Sequence, residues 1–395
     1  MVIISGFPKN IEYRRCNRCV VDSTVPGVYF DESGRCSLCH FHDKLDKLYP
    51  ENEKTFQRLE KRLKDIKKQG MGKKYDCILG ISGGRDSTYL LYLAVKRWNL
   101  RPLAVHFNDG FDNPVAGENI LKAIKKLGVD LRTITSNFKE CKDLKIVDLK
   151  ASTPLLNNGT DIGIGAALYG VAHKEKIKTI FYAQSYKVEG IRPLAWAYLD
   201  GDFLRELHCK FGKYPLSPWK PENPGYNLGV KEMIFYTLRG IKTFNPLYYY
   251  PYNKKEVGEM LKKELDWTYP GAHYYDDLYW SLITYVHRVK FNIDFRLIEY
   301  SAQIRSGQME REFALKELAA PSTIEEEKVI DLCIKRLGLT RKEFDSFLSL
   351  PPNNFWDYPN SYSLMKKLRW IVWILCQTGV FSKAIYEKYF GLPYK

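Results

Sequence analysis

Two places in this 395-residue chain concentrate side chains that do chemistry. Cys16, Cys19, Cys36 and Cys39 form two Cys-x2-Cys pairs, with sixteen residues between the pairs. Thiolates at that spacing come from two tight turns meeting on one tetrahedral ion, the pattern of a zinc ribbon or knuckle. Four sulfurs leave no open coordination position, so the Zn²⁺ would be structural, the alternative being an iron–sulfur or redox centre. His40 and His42 lie near enough to replace one ligand. So short a segment has little apolar core, and the metal would supply most of its stability.

The second place is Ser82-Gly83-Gly84-Arg85-Asp86-Ser87-Thr88. It follows the apolar run Ile78–Ile81 and precedes Leu90, Leu91, Ala94 and Trp98 at helical spacing. Two glycines let the backbone turn its N–H groups inward, and a helix N-terminus adds partial positive charge, so the loop is a nest for phosphate. Ser82, Ser87 and Thr88 add hydroxyls, and Asp86 adds a carboxylate suited to Mg²⁺ beside a phosphate oxygen. Arg85 is the first candidate cation. The frame is neither GxxxxGK(S/T) nor GxGxxG.

The elements that must position these residues alternate. Strand candidates are "YDCILGI", "PLAVHFN", "DLRTITS" and "IKTIFYA", with helical patterns near 87–98, 116–127, 139–150 and 161–174. That order predicts βαβ units and a parallel sheet covered on both faces. Residues 51–70 read as an amphipathic connector helix closed by Gly70, residues 184–250 are rich in Pro, Gly and Tyr, and the chain beyond Pro251 is helical. Ser322-x-x-Glu325 and Thr340-x-x-Glu343 read as capping boxes. The expected organisation is a zinc-ribbon module with linker helix over 1–72, an α/β nucleotide-binding domain over 73–250 and a helical domain over 251–395.

With 45% apolar and 27% charged residues the chain is a globular protein, not a disordered one. A net charge of +15 favours an anionic partner, but the Lys and Arg residues are scattered rather than clustered. The apolar stretch "LRWIVWILCQTGVF" is too short to span a bilayer and reads as a core helix. No secretory signal pattern is present and the nine cysteines read as reduced, so the expected location is cytoplasmic. Cys77, Cys141, Cys209, Cys333 and Cys376 are dispersed, none in a nucleophile elbow, so the chain shows no glutaminase centre of its own.

Residues 82–88 carry the SGGxDS(S/T) signature, and on it the chain resembles the PP-loop ATP pyrophosphatases. The resemblance implies a Rossmann-like parallel sheet of the PP-loop/HUP type, with ATP cleaved between its α and β phosphates and pyrophosphate held in the loop. It also implies that a carbonyl-type oxygen is adenylated. By position, His106 and Asn108 in "HFNDG", Asp161 in "NNGTDIGIGAA" and Ser185 in "YAQS" would line the ATP pocket.

The four-cysteine segment, the loop, "LDWTYPGAHYYDD", "KFNIDFR" and "IRSGQMEREFAL" together resemble a narrower family, the N-acetyl sugar amidotransferases of bacterial surface-polysaccharide synthesis. That resemblance implies conversion of an acetamido group of a nucleotide-activated sugar to an acetamidino group, with ammonia from a separate glutaminase subunit. Lys187 and Lys290 are further candidate catalytic cations, and His273, Tyr274, Tyr275 and Arg305 candidate substrate ligands. Competing readings are a tRNA-thiolating PP-loop enzyme, another ATP-dependent amidation, and a non-catalytic nucleotide-binding module.

Overall fold

The computed structural model describes residues 12–269, 277–322 and 325–391. After the cysteine turns come α1 (Ser37–Leu48) and α2 (Glu53–Gln69), then an alternating series. It comprises β1 (Cys77–Gly80), α3 (Arg85–Tyr92), β2 (Pro102–Asn108), α4 (Pro114–Leu127), β3 (Leu131–Thr135), α5 (Phe138–Ala151), α6 (Asn158–Lys174) and β4 (Thr179–Phe181). Then follow α7 (Gly201–Phe211), α8 (Val230–Leu238), β5 (Lys242–Phe244) and α9 (Lys254–Leu265). The remainder is helical: α10 (Tyr279–Val286), α11 (Arg296–Arg305), α12 (Arg311–Ala319), α13 (Glu327–Leu337), α14 (Arg341–Leu348), α15 (Tyr362–Lys367), α16 (Arg369–Gln377) and α17 (Lys383–Tyr386).

The five strands form one parallel sheet in the order β3-β2-β1-β4-β5. Ile78, Leu79 and Ile180 are fully buried because helices cover both faces, which is why these strands read as continuous apolar runs. The chain steps outward from β1 to β3, then returns to β4 on the other side of β1. A crevice therefore opens between the carboxyl ends of β1 and β4, where open α/β sheets bind ligands. Local signals hold: Asn113 caps α4 with Pro114 at its first position, and Gly128 ends it at φ +63°. Gly70 closes α2 as expected.

The core clusters cross the linear segments. One buried cluster joins all four cysteines to Tyr186, Trp196 and helices α10, α11, α13 and α14. A second joins Leu59, Leu63 and Ile66 of α2 and Val257, Leu261 and Leu265 of α9 to the sheet.

The structure departs from, or adds to, the sequence reading at three places. The box Thr340–Glu343 caps α14, whereas positions 323–324 of the Ser322–Glu325 box lie outside the described residues; α13 begins at Glu327, and the Glu325 carboxylate accepts from Arg288 at 2.6–3.0 Å. The strand β5 lies inside the Pro/Gly/Tyr-rich stretch, where three residues are too few to show alternation. The apolar stretch ending in Phe381 is not a core helix: Cys376 is the one buried residue of α16, and Trp370 and Trp373 are 60% and 48% exposed. Apolar side chains surround this helix on every side, so periodicity could not say which face packs. Among the described residues no helix is long and apolar enough to cross a membrane.

Candidate active site and metal centre

The loop leaves β1 at the crevice. Gly83 stands at φ +79°, and a Cβ there would lie 2.0 Å from the Ala116 carbonyl oxygen of α4, so no other residue fits. Its own carbonyl accepts from Trp267 Nε1 at 2.9 Å and Asn119 Nδ2 at 3.3 Å. Two side chains from α4 and the end of α9 thus pin that peptide. Gly84 is the N-cap of α3. Ser87 Oγ accepts from the Ser82 N–H at 3.2 Å, and Thr88, fully buried, donates to the Gly84 carbonyl at 2.7 Å. Thr88 therefore shapes the turn rather than facing a ligand, a correction to its expected role. Ser82 is exposed at the mouth.

Asp86 is 7% exposed and sits among three partners. Tyr252 donates its hydroxyl to Oδ1, Arg85 Nε lies 3.6 Å from the same oxygen, and Glu189 is hydrogen-bonded to the carboxylate. Burial, then the charge of Asp86, push the Glu189 carboxyl well above the usual range. Two adjacent carboxyl groups are oxygen donors of the kind a hard divalent cation takes. At the loop, Asp86 and Glu189 are the residues that would hold a Mg²⁺ ion.

Other expected pocket residues end up along the same edge of the sheet. His106, near the end of β2, has Nδ1 3.0 Å from the Ile81 carbonyl and Nε2 2.9 Å from Asp112. Burial alone would depress its pKa, but Asp112 and the Ile81 carbonyl outweigh it and raise it. Asn108 accepts from the Gly110 N–H at 2.9 Å. Ser185, beyond β4, is 1% exposed and its hydroxyl has no hydrogen-bond partner among the described residues, as a ligand-facing donor would be left. Asp161, in the first turn of α6, reaches solvent.

Three expected cations lie elsewhere. Lys187 Nζ is paired with Glu51, and Lys290 donates to the Phe347 carbonyl in α14, with burial pushing its pKa down to about 8. Neither meets the loop, because each ammonium is claimed by a nearer oxygen. Arg305, expected on substrate, lies instead on the cysteine sulfurs. His273, Tyr274 and Tyr275 fall outside the described residues. Glu189, Tyr252, Asn119 and Trp267 were missed; for Glu189 alone a signal existed, a carboxylate a few residues past a strand end.

The four cysteines are buried and their sulfurs lie within 4.8 Å of one another. The Cys16–Cys39, Cys19–Cys36, Cys36–Cys39 and Cys19–Cys39 separations are 3.8, 3.7, 3.6 and 3.6 Å. A tetrahedron with Zn–S bonds of about 2.3 Å has edges of about 3.8 Å, so the set fits one ion at its centre. The nearby histidines are not needed: His40 bonds Asp31, and His42 lies 3.6 Å from Asp46.

Residues 272–369 match the family described as "LPS biosynthesis protein WbpG-like, C-terminal domain". Over 312 residues the chain is 24% identical to an uncharacterized protein of Methanocaldococcus jannaschii, covering 74% of this chain and 95% of that one. An NMN synthetase from Francisella tularensis is similar at 15% identity and TM-score 0.31, over 72% of this chain and 93% of that one. The U34-tRNA thiolase NcsA of Methanococcus maripaludis, with its 4Fe–4S cluster, is similar at 16% and 0.32, over 83% and 99%. Superpositions at those scores carry no argument, and the fold rests on the strand order and the loop. Residues 272–369 are thus similar to a WbpG-like C-terminal domain, and they follow a parallel α/β core whose first strand leads into the Ser82–Thr88 loop, with a four-cysteine cluster able to bind a metal before it.

Proposed function

We propose that this chain uses ATP to amidinate the acetamido group of a nucleotide-activated N-acetyl sugar for a bacterial surface polysaccharide. The chemistry explains the need for ATP. An amide carbon is a poor electrophile and its oxygen cannot leave as oxide. Transfer of AMP to that oxygen, with loss of pyrophosphate, makes an imidoyl adenylate; ammonia then adds at carbon, and AMP leaves with the oxygen. The amidine keeps the second nitrogen.

The single observation carrying this reading is the loop at the β1 end with Asp86 set between Glu189 and Tyr252, beside a domain of lipopolysaccharide-biosynthesis type. The Gly84 amide at the α3 N-terminus and Arg85 would hold the departing pyrophosphate, and the Ser185 hydroxyl would face the nucleotide. Mg²⁺ on Asp86 and Glu189 would offset the charge that develops there.

Four of the five thiols outside the cluster do not suit glutamine hydrolysis, and the fifth, Cys209, is exposed on α7 outside any nucleophile elbow. Cys77, Cys141, Cys333 and Cys376 are buried and burial pushes each pKa up, away from the thiolate. Ammonia would therefore come from a glutaminase partner. Four sulfurs at these separations suit zinc in a structural role.

The reading is tested with full-length protein, ATP, Mg²⁺ and a UDP-linked acetamido sugar. Ammonium is expected to give AMP and a sugar lighter by the difference between O and NH, whereas glutamine gives neither until a glutaminase is added. A sugar left unchanged while tRNA elicits AMP would replace this reading with tRNA modification.

A further inference from the structure

The segment "IRSGQMER" spans the turn between α11 and α12, and its side chains reach in two directions. Toward the cysteines, Arg305 Nε lies 3.2 Å from Cys39 Sγ, and one terminal nitrogen lies 3.2 Å from Cys19 Sγ and 3.8 Å from Cys36 Sγ. Arg311 donates to the Cys19 carbonyl at 3.1 Å and the Cys16 carbonyl at 3.0 Å. Four thiolates around a divalent ion carry two net negative charges. A guanidinium on three of the sulfurs offsets part of that charge and fixes the sulfurs' orientation.

Toward the nucleotide loop, Ser306 Oγ donates to the Lys187 carbonyl at 2.9 Å. Gln308 donates to the Tyr252 carbonyl at 2.8 Å and accepts from the Lys254 N–H at 2.9 Å. Gly190, at φ +72°, is packed so closely on α11 that a Cβ would stand 2.9 Å from Ile298 Cγ2. Lys187 and Gly190 bracket Glu189. Tyr252 and Glu189 are both hydrogen-bonded to Asp86.

We propose that the Arg305–Arg311 turn couples the cysteine metal centre to Asp86. The ion orders the sulfurs, the sulfurs order Arg305, and the turn then holds Glu189 and Tyr252 against the Asp86 carboxylate. Arg305 is a positioning residue, acting through Ser306 and Gln308 and touching no substrate. The coupling does not depend on which acceptor is adenylated, and its test reads no sugar chemistry.

The experiment uses full-length protein loaded with Zn²⁺ or Co²⁺. In Arg305→Met, chelator-driven Zn²⁺ release is expected to quicken about tenfold or more, with Arg305→Lys in between, because outer partners of metal ligands act on that scale. The thiolate-to-Co²⁺ charge-transfer band is expected to shift in Arg305→Met. Amide hydrogen exchange is expected to rise at 185–190 and 250–254, both in Arg305→Met and in wild-type protein stripped of Zn²⁺, while β1 and β2 stay protected. Gln308→Ala is expected to release Zn²⁺ at the wild-type rate and loosen 250–254 alone. Wild-type release and an unmoved band in Arg305→Met would overturn the proposal. So would Zn²⁺-free wild-type protein whose 185–190 and 250–254 segments exchange as in the loaded form; this arm stands even where Arg305→Met does not fold.

Discussion

Asp86→Asn is expected to lower AMP formation on the order of a thousandfold while leaving the fold in place. The substitution keeps shape and an oxygen for the Tyr252 hydroxyl, so the local packing survives. What it removes is the negative charge that, with Glu189, fits the pocket to a divalent cation. It also removes the charge that, after burial, pushes the Glu189 carboxyl up, so thermal stability is expected to hold or rise slightly. Steady-state AMP release and a thermal melt on the same sample check both halves. Glu189→Gln is expected to raise the Mg²⁺ concentration needed for half-maximal rate. Full activity in both variants would remove these carboxylates from the chemistry.

Lys145→Met carries the largest expected loss of stability. Lys145 is 1% exposed, with Nζ 3.0 Å from Asp109, 2.9 Å from Thr160 Oγ1 and 3.1 Å from Asn157 Oδ1, and it lies 3.9 Å from the centre of the Tyr279 ring. Burial alone would lower its pKa, but the Asp109 charge holds it well above the ordinary lysine value, and Asp109 is held low in return. Removing the cation leaves a carboxylate that is 3% exposed without its counter-charge, a change of about 3–5 kcal/mol. Denaturant titration should show it, and Lys145→Met/Asp109→Asn should recover a substantial part because the stranded charge goes too. A loss below about 1 kcal/mol would mean that the pair is solvated in solution. Because Asn157 and Thr160 lie at the start of α6, beside Asp161, the single variant should weaken nucleotide binding as well.

What could be read from the chain were features whose cause is local. Strands β1, β2 and β4 showed as short apolar runs bounded by glycine or polar residues and β3 as a short β-branched stretch, and the helices between them showed by their helical periodicity. The Ser82–Thr88 loop and the paired cysteines showed because their chemistry needs particular residue types at fixed short spacing. What failed was set at long range. Tyr252 meets Asp86 across 166 positions and Trp267 meets Gly83 across 184, and no periodicity records such a meeting. Arg305 illustrates the same limit from the other side. An arginine in a polar motif suggests an anion as its partner, and the anions it found are sulfurs 266 or more positions earlier. The lysines at 187 and 290 were plausible cations by type alone, and an oxygen closer in space claimed each.

The most direct measurement follows one oxygen atom. An acetamido sugar labelled with ¹⁸O in its amide carbonyl is incubated with the protein, ATP, Mg²⁺ and ammonium, and the nucleotide and phosphate products are separated and weighed. Activation at the α phosphate by the loop between β1 and α3 places the label in AMP, alongside unlabelled pyrophosphate. Label in orthophosphate alongside ADP, or unlabelled AMP beside an amidinated sugar, would contradict it.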